Sequence, residues 1–147
     1  LDNPLLEAEL ERLRRRSGNR VLGKARIVRD ILQQLARGGM VGILIDQRTR
    51  DPAALMVPFF GVPARTHPIL ARLVLKTGAP VVPVWTLREG PLRYAMRFEP
   101  ALDPATLSPE ELDPYRLTAR LMGLTEAAVR TRPEQWLWYH DRWRERR

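Results

Sequence analysis

The sequence contains no cysteine, which removes a disulfide framework, a cysteine-ligated metal and a thiol nucleophile from consideration. Its histidines number only two, His67 and His140, leaving little scope for a zinc site. Lysine is almost absent: of 25 basic residues only Lys24 and Lys76 are lysines, and the rest are arginines. No apolar run approaches the ~20 residues of a membrane span, and no signal-peptide pattern opens the chain. Residues 99–113 (EPALDPATLSPEELD) carry five acids and no base. With a net charge of +8 overall, about +13 therefore remains on the rest. An arginine surface of that sign attracts acidic partners, whether nucleic acid, anionic lipid or an acidic carrier protein, and holds its charge at any relevant pH.

What is present is ordinary in amount for one globular core: 147 residues, 44% hydrophobic and 29% charged. Residues 3–18 are punctuated as a helix. Asn3 can cap it, Pro4 suits its first turn, acids Glu7, Glu9 and Glu11 precede Arg12, Arg14, Arg15 and Arg16, and Gly18 stops it. Leu6, Leu10 and Leu13 form its apolar stripe. A second helix over about 25–37 sets Ile27, Ile31 and Leu35 on one face. The run MVGILI at 40–45 has the length and continuity of a strand buried on both faces, ended by Asp46-Gln47. A loop over 48–66 contains PFFG at 58–61, and Thr66 can cap a helix over about 67–77 closed by Gly78. VVPVWTL (81–87) and LRYAMRF (92–98) read as a hairpin or neighbouring strands, and 114–132 as a helix with Leu117, Leu121, Leu124 and Ala128 on one side. Alternating helix and strand, with one strand of buried character, predicts an α/β fold with a mixed, mostly parallel sheet flanked by helices.

Four groups of residues carry possible chemistry. Asp46 and Gln47 follow the predicted buried strand, at the sheet edge where α/β proteins place ligands; the plain alternative is a loop aspartate capping a turn. Phe59, Phe60 and Gly61 are either loop residues folded onto the core or the wall of an acyl-chain pocket. The arginines of the first helix are a solvated basic face or a phosphate receiver. The closing stretch PEQWLWYHDRWRERR alternates aromatic rings with arginines and contains His140 and Glu145 in an H-x4-E spacing. In a helix those two would diverge by about 140°, and Glu145 sits between Arg144 and Arg146, so the spacing predicts no catalytic pair.

LDNPLL, Arg14-x-x-x-Gly18, ILIDQ, PFFGVPARTH, KTGAPVVPV and PEQWLWYHDRW occur in that order, and as an ordered set they resemble the bacterial lipid A biosynthesis (lauroyl/myristoyl) acyltransferases over nearly the whole chain. The resemblance implies a glycerolipid-acyltransferase-like fold, and a transfer of a fatty acyl group from acyl-carrier protein to a hydroxyl of a lipid A precursor at the cytoplasmic face of the bacterial inner membrane. It implies no cofactor, no metal and no nucleic acid. The family's base is an H-x4-D/E dyad lying before the DNPLL segment. Residues 1–147 accordingly read as the C-terminal portion of one acyltransferase domain, without membrane anchor or dyad, peripheral to the membrane and inactive alone. On this reading Arg14 and Asp46 support catalysis, and Arg14, Arg16, Asp46, Gln47, Phe59, Phe60, Gly61 and Thr66 bind substrate. Trp136, Trp138, His140, Arg142 and Trp143 dock the tail or meet lipid headgroups. An acyltransferase acting on mannosylated phosphatidylinositol, and a basic nucleic-acid-binding module using the tail as a stacking platform, are the competing readings.

Overall fold

The computed structural model describes residues 3–22 and 27–143, with the side chain of Glu7 excepted. The chain divides into two compact units, Leu1–Val41 and Gly42–Arg147. The first holds helices α1 (Pro4–Arg16) and α2 (Ile27–Ala36). Asn3 Oδ1 accepts the N–H groups of Leu5 and Leu6, satisfying two of the donors a helix start leaves unpaired. Glu9–Arg12 and Glu11–Arg15 ion pairs follow along its surface at 2.6 and 2.5 Å. The apolar stripe predicted for α1 stays largely open: Leu6 and Leu13 are exposed and Leu10 is half-buried. In α2, Ile31 is buried and Leu35 half-buried, whereas Ile27 is exposed. Residues 25 and 26 of that predicted helix lie outside the described residues.

In the second unit β1 (Leu55–Phe59) and β2 (Val62–Thr66) pair antiparallel, as do β3 (Val84–Gly90) and β4 (Arg93–Phe98). Helices α3 (Ile69–Thr77) and α4 (Pro114–Thr131) pack on each other and, through α4, on β1. Two cores meet here. Ala71 and Val74 of α3 close on Leu102, Leu117 and Leu121. Val57, Phe59 and Ala64 of the first hairpin close on Met122 of α4. Ile45 packs against both.

The expected parallel sheet does not form among the described residues; the two sheets there are two-stranded and antiparallel. Each strand pair is joined by a connection of two residues, a length that only antiparallel pairing permits. Residues 40–45 form no strand among the described residues. An apolar run reports burial, and a strand also needs a ladder partner, which 40–45 lacks there. Its side chains alternate instead, with Ile43 and Ile45 half-buried and Met40 and Leu44 exposed.

The predicted loop over 48–66 contains the first hairpin. Phe60 and Gly61 turn it with φ of 53° and 75°, the pair of positive values that matches the twist of a two-residue hairpin. Glycine takes such values without penalty, and phenylalanine does so only when its surroundings hold it. Thr66 does not cap α3. It lies buried in β2, and the ring of His67 serves the helix instead, its Nδ1 accepting the N–H of Ile69 at 3.0 Å. Gly78 closes α3, as predicted, and does so in the left-handed conformation.

Candidate active site around Asp46 and Arg142

After α4 and the turn Pro133–Gln135 the chain returns across the second unit. The amide of Gln135 fastens it first, accepting the backbone N–H of Arg88 at 2.8 Å and donating to the Arg88 carbonyl at 3.0 Å. Each of the tail's indoles then finds an acceptor, as an indole packed among other rings does. Trp136 Nε1 donates to Asp46 Oδ2 at 3.2 Å, Trp138 Nε1 to the Pro133 carbonyl at 2.6 Å, and Trp143 Nε1 to the Phe59 carbonyl at 3.1 Å. Phe59, Phe60 and these three tryptophans form one cluster with neighbouring ring centroids 4.8–6.5 Å apart, mostly edge-to-face. The strained turn is held from α4: Glu126 Oε2 accepts the Phe60 N–H, and Arg130, paired with Glu126 at 2.6 Å, lies 4.8 Å over the Phe60 ring. Arg130, and then that N–H, keep the Glu126 carboxyl below its usual range.

Arg142 is 0% exposed. Its Nη1 donates to the Arg65 carbonyl at 2.6 Å, its Nη2 donates to Thr66 Oγ1, and its guanidinium lies 5.7 Å from the centre of the Phe59 ring. Burial lowers its pKa below the usual arginine value, and the negative charge of Asp46 opposes that shift. The Nε atoms of Arg142 and Arg65 are buried without a hydrogen-bond partner. Asp46 therefore occupies a defined place: half-buried, fixed by an indole N–H, and near enough to the buried Arg142 for its charge to act there.

Neither histidine offers a ring nitrogen for proton abstraction in this arrangement. His140 Nε2 accepts the Arg48 N–H at 2.8 Å. His67, with Nδ1 engaged by Ile69, places Nε2 3.2 Å from Asp51 Oδ2, which makes that nitrogen the protonated one. Asp51 also accepts the Ala53 N–H at 2.8 Å; this bond first, then His67 and Arg72, hold its carboxyl below the usual range. The predicted absence of an H-x4-E pair turns on Glu145, which lies outside the described residues along with Arg144 and Arg146.

The second unit thus gathers Asp46, Phe59, Phe60, Gly61, Thr66, Trp136, Trp138, His140, Arg142 and Trp143, with Gln47 exposed beside them. Phe59 and Arg142 present no surface to a ligand, whereas Trp138 is half exposed. Arg14 and Arg16 belong to the first unit, exposed and without a carboxylate partner among the described residues, unlike Arg12 and Arg15. Sequence reasoning missed Arg48, Asp51, Arg65, Glu126 and Arg130. Only the Glu126–Arg130 pair had a legible signal, its i,i+4 spacing on a helix.

The profile of the bacterial lipid A biosynthesis acyltransferases matches residues 1–145. This chain belongs to that family. Among curated relatives it is similar to a lipid A biosynthesis myristoyltransferase of Escherichia coli (strain K12), 27% identical over 137 residues. A lipid A biosynthesis acyltransferase 1 of Shigella flexneri is 27% identical over the same length. In each case the match takes in 92% of this chain and 41% of the relative, so the chain spans about two fifths of the length of these proteins.

Proposed function

We propose that the protein carrying this chain transfers a fatty acyl group from acyl-carrier protein to a hydroxyl of a lipid A precursor, at the cytoplasmic face of the bacterial inner membrane. The family match across residues 1–145 is the observation that carries this reading. The general base is the H-x4-D/E pair that the resemblance implies: it takes the acceptor hydroxyl proton, and the oxygen attacks the thioester carbonyl. The residues of this chain serve binding and positioning. Asp46, locked by Trp136 and balanced by Arg142, is a fixed carboxylate suited to orienting a histidine or arginine of the reacting constellation. Arg14 and Arg16, lacking carboxylate partners among the described residues, suit the phosphates of the acceptor. The overall +8 charge favours encounter with an acidic carrier.

The packing disfavours the nucleic-acid reading. A stacking platform presents ring faces to solvent, and Trp136 and Trp143 are instead half-buried against the hydrophobic core. The test is an assay of the intact protein with acyl-carrier-protein thioester and lipid A precursor. Turnover that falls on Asp46→Asn, which keeps an acceptor for Trp136, with a melting temperature little changed supports the reading. An intact protein that transfers no acyl group to any lipid A precursor refutes it.

A further inference from the structure

Asp46 stands at the end of a stretch with little backbone bonding of its own. Among the described residues, 42–47 make no backbone–backbone hydrogen bond and belong to no helix or strand. Ile45 packs against both cores and fixes the chain up to that point. Beyond it, two side-chain bonds reach across from the tail. Trp136 Nε1 holds the Asp46 carboxylate, and two residues further on Nε2 of the half-buried His140 accepts the backbone N–H of Arg48 at 2.8 Å.

A ring nitrogen accepts only when it carries no proton, so His140 has the tautomer with its hydrogen on Nδ1. The peptide joining Gln47 to Arg48 is planar and trans, so a bond to its N–H sets the plane of the whole unit and the course of the chain beside Asp46. The histidine is itself held in place. Its own N–H donates to the Leu137 carbonyl at 3.0 Å, and two residues beyond it the buried Arg142 is bound to the Arg65 carbonyl and Thr66 Oγ1.

We propose that His140 is a positioning residue for acyl transfer: through the Arg48 N–H it sets the backbone that carries Asp46, while Trp136 sets the carboxylate. The proposal rests on the reading above in which Asp46 serves the reacting constellation. Neither anchor suffices alone. The indole bond leaves the backbone under the carboxylate free to shift, and the backbone bond leaves the side-chain torsion unset. A functional group must be held within about 0.5 Å of its productive geometry, so loss of one anchor lowers turnover without removing any group that touches substrate. Docking of the tail does not explain the bond. Trp136, Trp143 and Arg142 dock the tail regardless of His140, and a single neutral bond to one N–H adds little to them. Its effect falls on the turn that bears Asp46.

The experiment is steady-state acyl transfer by the intact protein, comparing the parent with His140→Ala, His140→Gln, Asp46→Asn and the double variant of His140→Ala with Asp46→Asn. His140→Ala should lower kcat about fivefold, as loss of a neutral hydrogen bond does, and leave KM for both substrates within about twofold. In His140→Gln the amide oxygen stands near the place of Nε2 and accepts the same N–H, so kcat should return to within about twofold of the parent. A residue that acts through Asp46 has nothing left to position once the carboxylate is gone. In the Asp46→Asn background His140→Ala should therefore cost less than about twofold, whereas a merely structural histidine would cost its full factor in both backgrounds. Should His140→Ala not fold, His140→Leu keeps the bulk without the acceptor and takes its place; if that variant also fails to fold, His140 is structural and the proposal is overturned. Parental kcat in His140→Ala, no recovery in His140→Gln, or losses that multiply in the double variant would each overturn the positioning role, while a lowered turnover in Asp46→Asn would leave the role of Asp46 standing. Unchanged turnover in Asp46→Asn would remove the role of Asp46 and this proposal with it, and a parent that transfers no acyl group would remove the whole reading.

Discussion

Replacing Arg142 should unfasten the tail from the β1–β2 hairpin. The buried guanidinium serves two acceptors, the Arg65 carbonyl and Thr66 Oγ1, and faces the charge of Asp46. A hydrogen bond from a charged donor contributes about 1.5–3 kcal/mol, and Arg142→Ala removes two while leaving buried acceptors unsatisfied. Against this stands the burial cost of the arginine itself, which the lowered pKa reports and which the variant no longer bears. The net loss expected is about 3–5 kcal/mol, as for removal of one partner from a buried charged pair. Arg142→Met, which keeps most of the volume on Phe59, should recover about 1–2 kcal/mol of that by leaving no cavity. Arg142→Lys should fall between them, since an ammonium cannot reach both acceptors as a planar fork does. Urea unfolding of the intact protein, followed by tryptophan fluorescence at constant slope, reads all three. A loss below about 1 kcal/mol for Arg142→Ala would mean that the tail is held by its rings alone, and the reasoning from the buried charge would fail.

Four further outcomes follow from the same geometry. Asp46→Asn should lower acyl transfer by the equivalent of about 1.5–3 kcal/mol, one charge-assisted interaction, with the melting temperature little changed; steady-state kinetics beside a thermal melt checks it. Asp51 has a depressed folded pKa, so its stabilisation is present above about pH 4 and is lost as pH falls through the folded value. Asp51→Asn should accordingly flatten the stability–pH curve below pH ~4, as read by urea midpoints across the acid range. Leu92→Asn should raise stability by about 0.5–1 kcal/mol by relieving the left-handed leucine, whose φ is 58°, measured as a higher urea midpoint. Binding of acyl-carrier protein to the intact protein should weaken as salt brings the Debye length toward ~8 Å, and titration calorimetry at two ionic strengths would detect it.

The elements legible in the sequence were those written in local chemistry. Asn3-Pro4 and Asp113-Pro114 announce two helix starts, Gly78 a helix end, and Glu89-Gly90-Pro91 the second hairpin. The first hairpin was hidden because its turn uses phenylalanine at a position where asparagine or glycine is the usual signal, and the compensation comes from Glu126 and Arg130 far along the chain. MVGILI misled in the opposite way: it was read as a strand buried on both faces, whereas its side chains alternate between half-buried and exposed, and pairing is a property of two segments that no single run encodes. Asp46 and the tail aromatics stood out as residues, while the bond joining Asp46 to Trp136 and the burial of Arg142 did not. Both depend on separations of 76 to 90 residues that no local pattern reports.

Those separations also bear on how the polypeptide acquires its shape during synthesis. The tail bonds back to residues 48, 46, 59, 65 and 66 across intervals of 92, 90, 84, 77 and 76 residues. At translation rates of about 5–20 residues per second, Asp46 and the hairpin wait roughly 5–20 s on the ribosome before their partners exist. During that interval Phe59 and Phe60, and at its end the underside of α4, lack the rings that cover them. The contacts that close the second unit are also those whose loop-closure entropy is largest, so they place its consolidation late. A nascent chain stalled before Trp136 would present this uncovered apolar site to chaperones and proteases, and release past Trp143 would withdraw it.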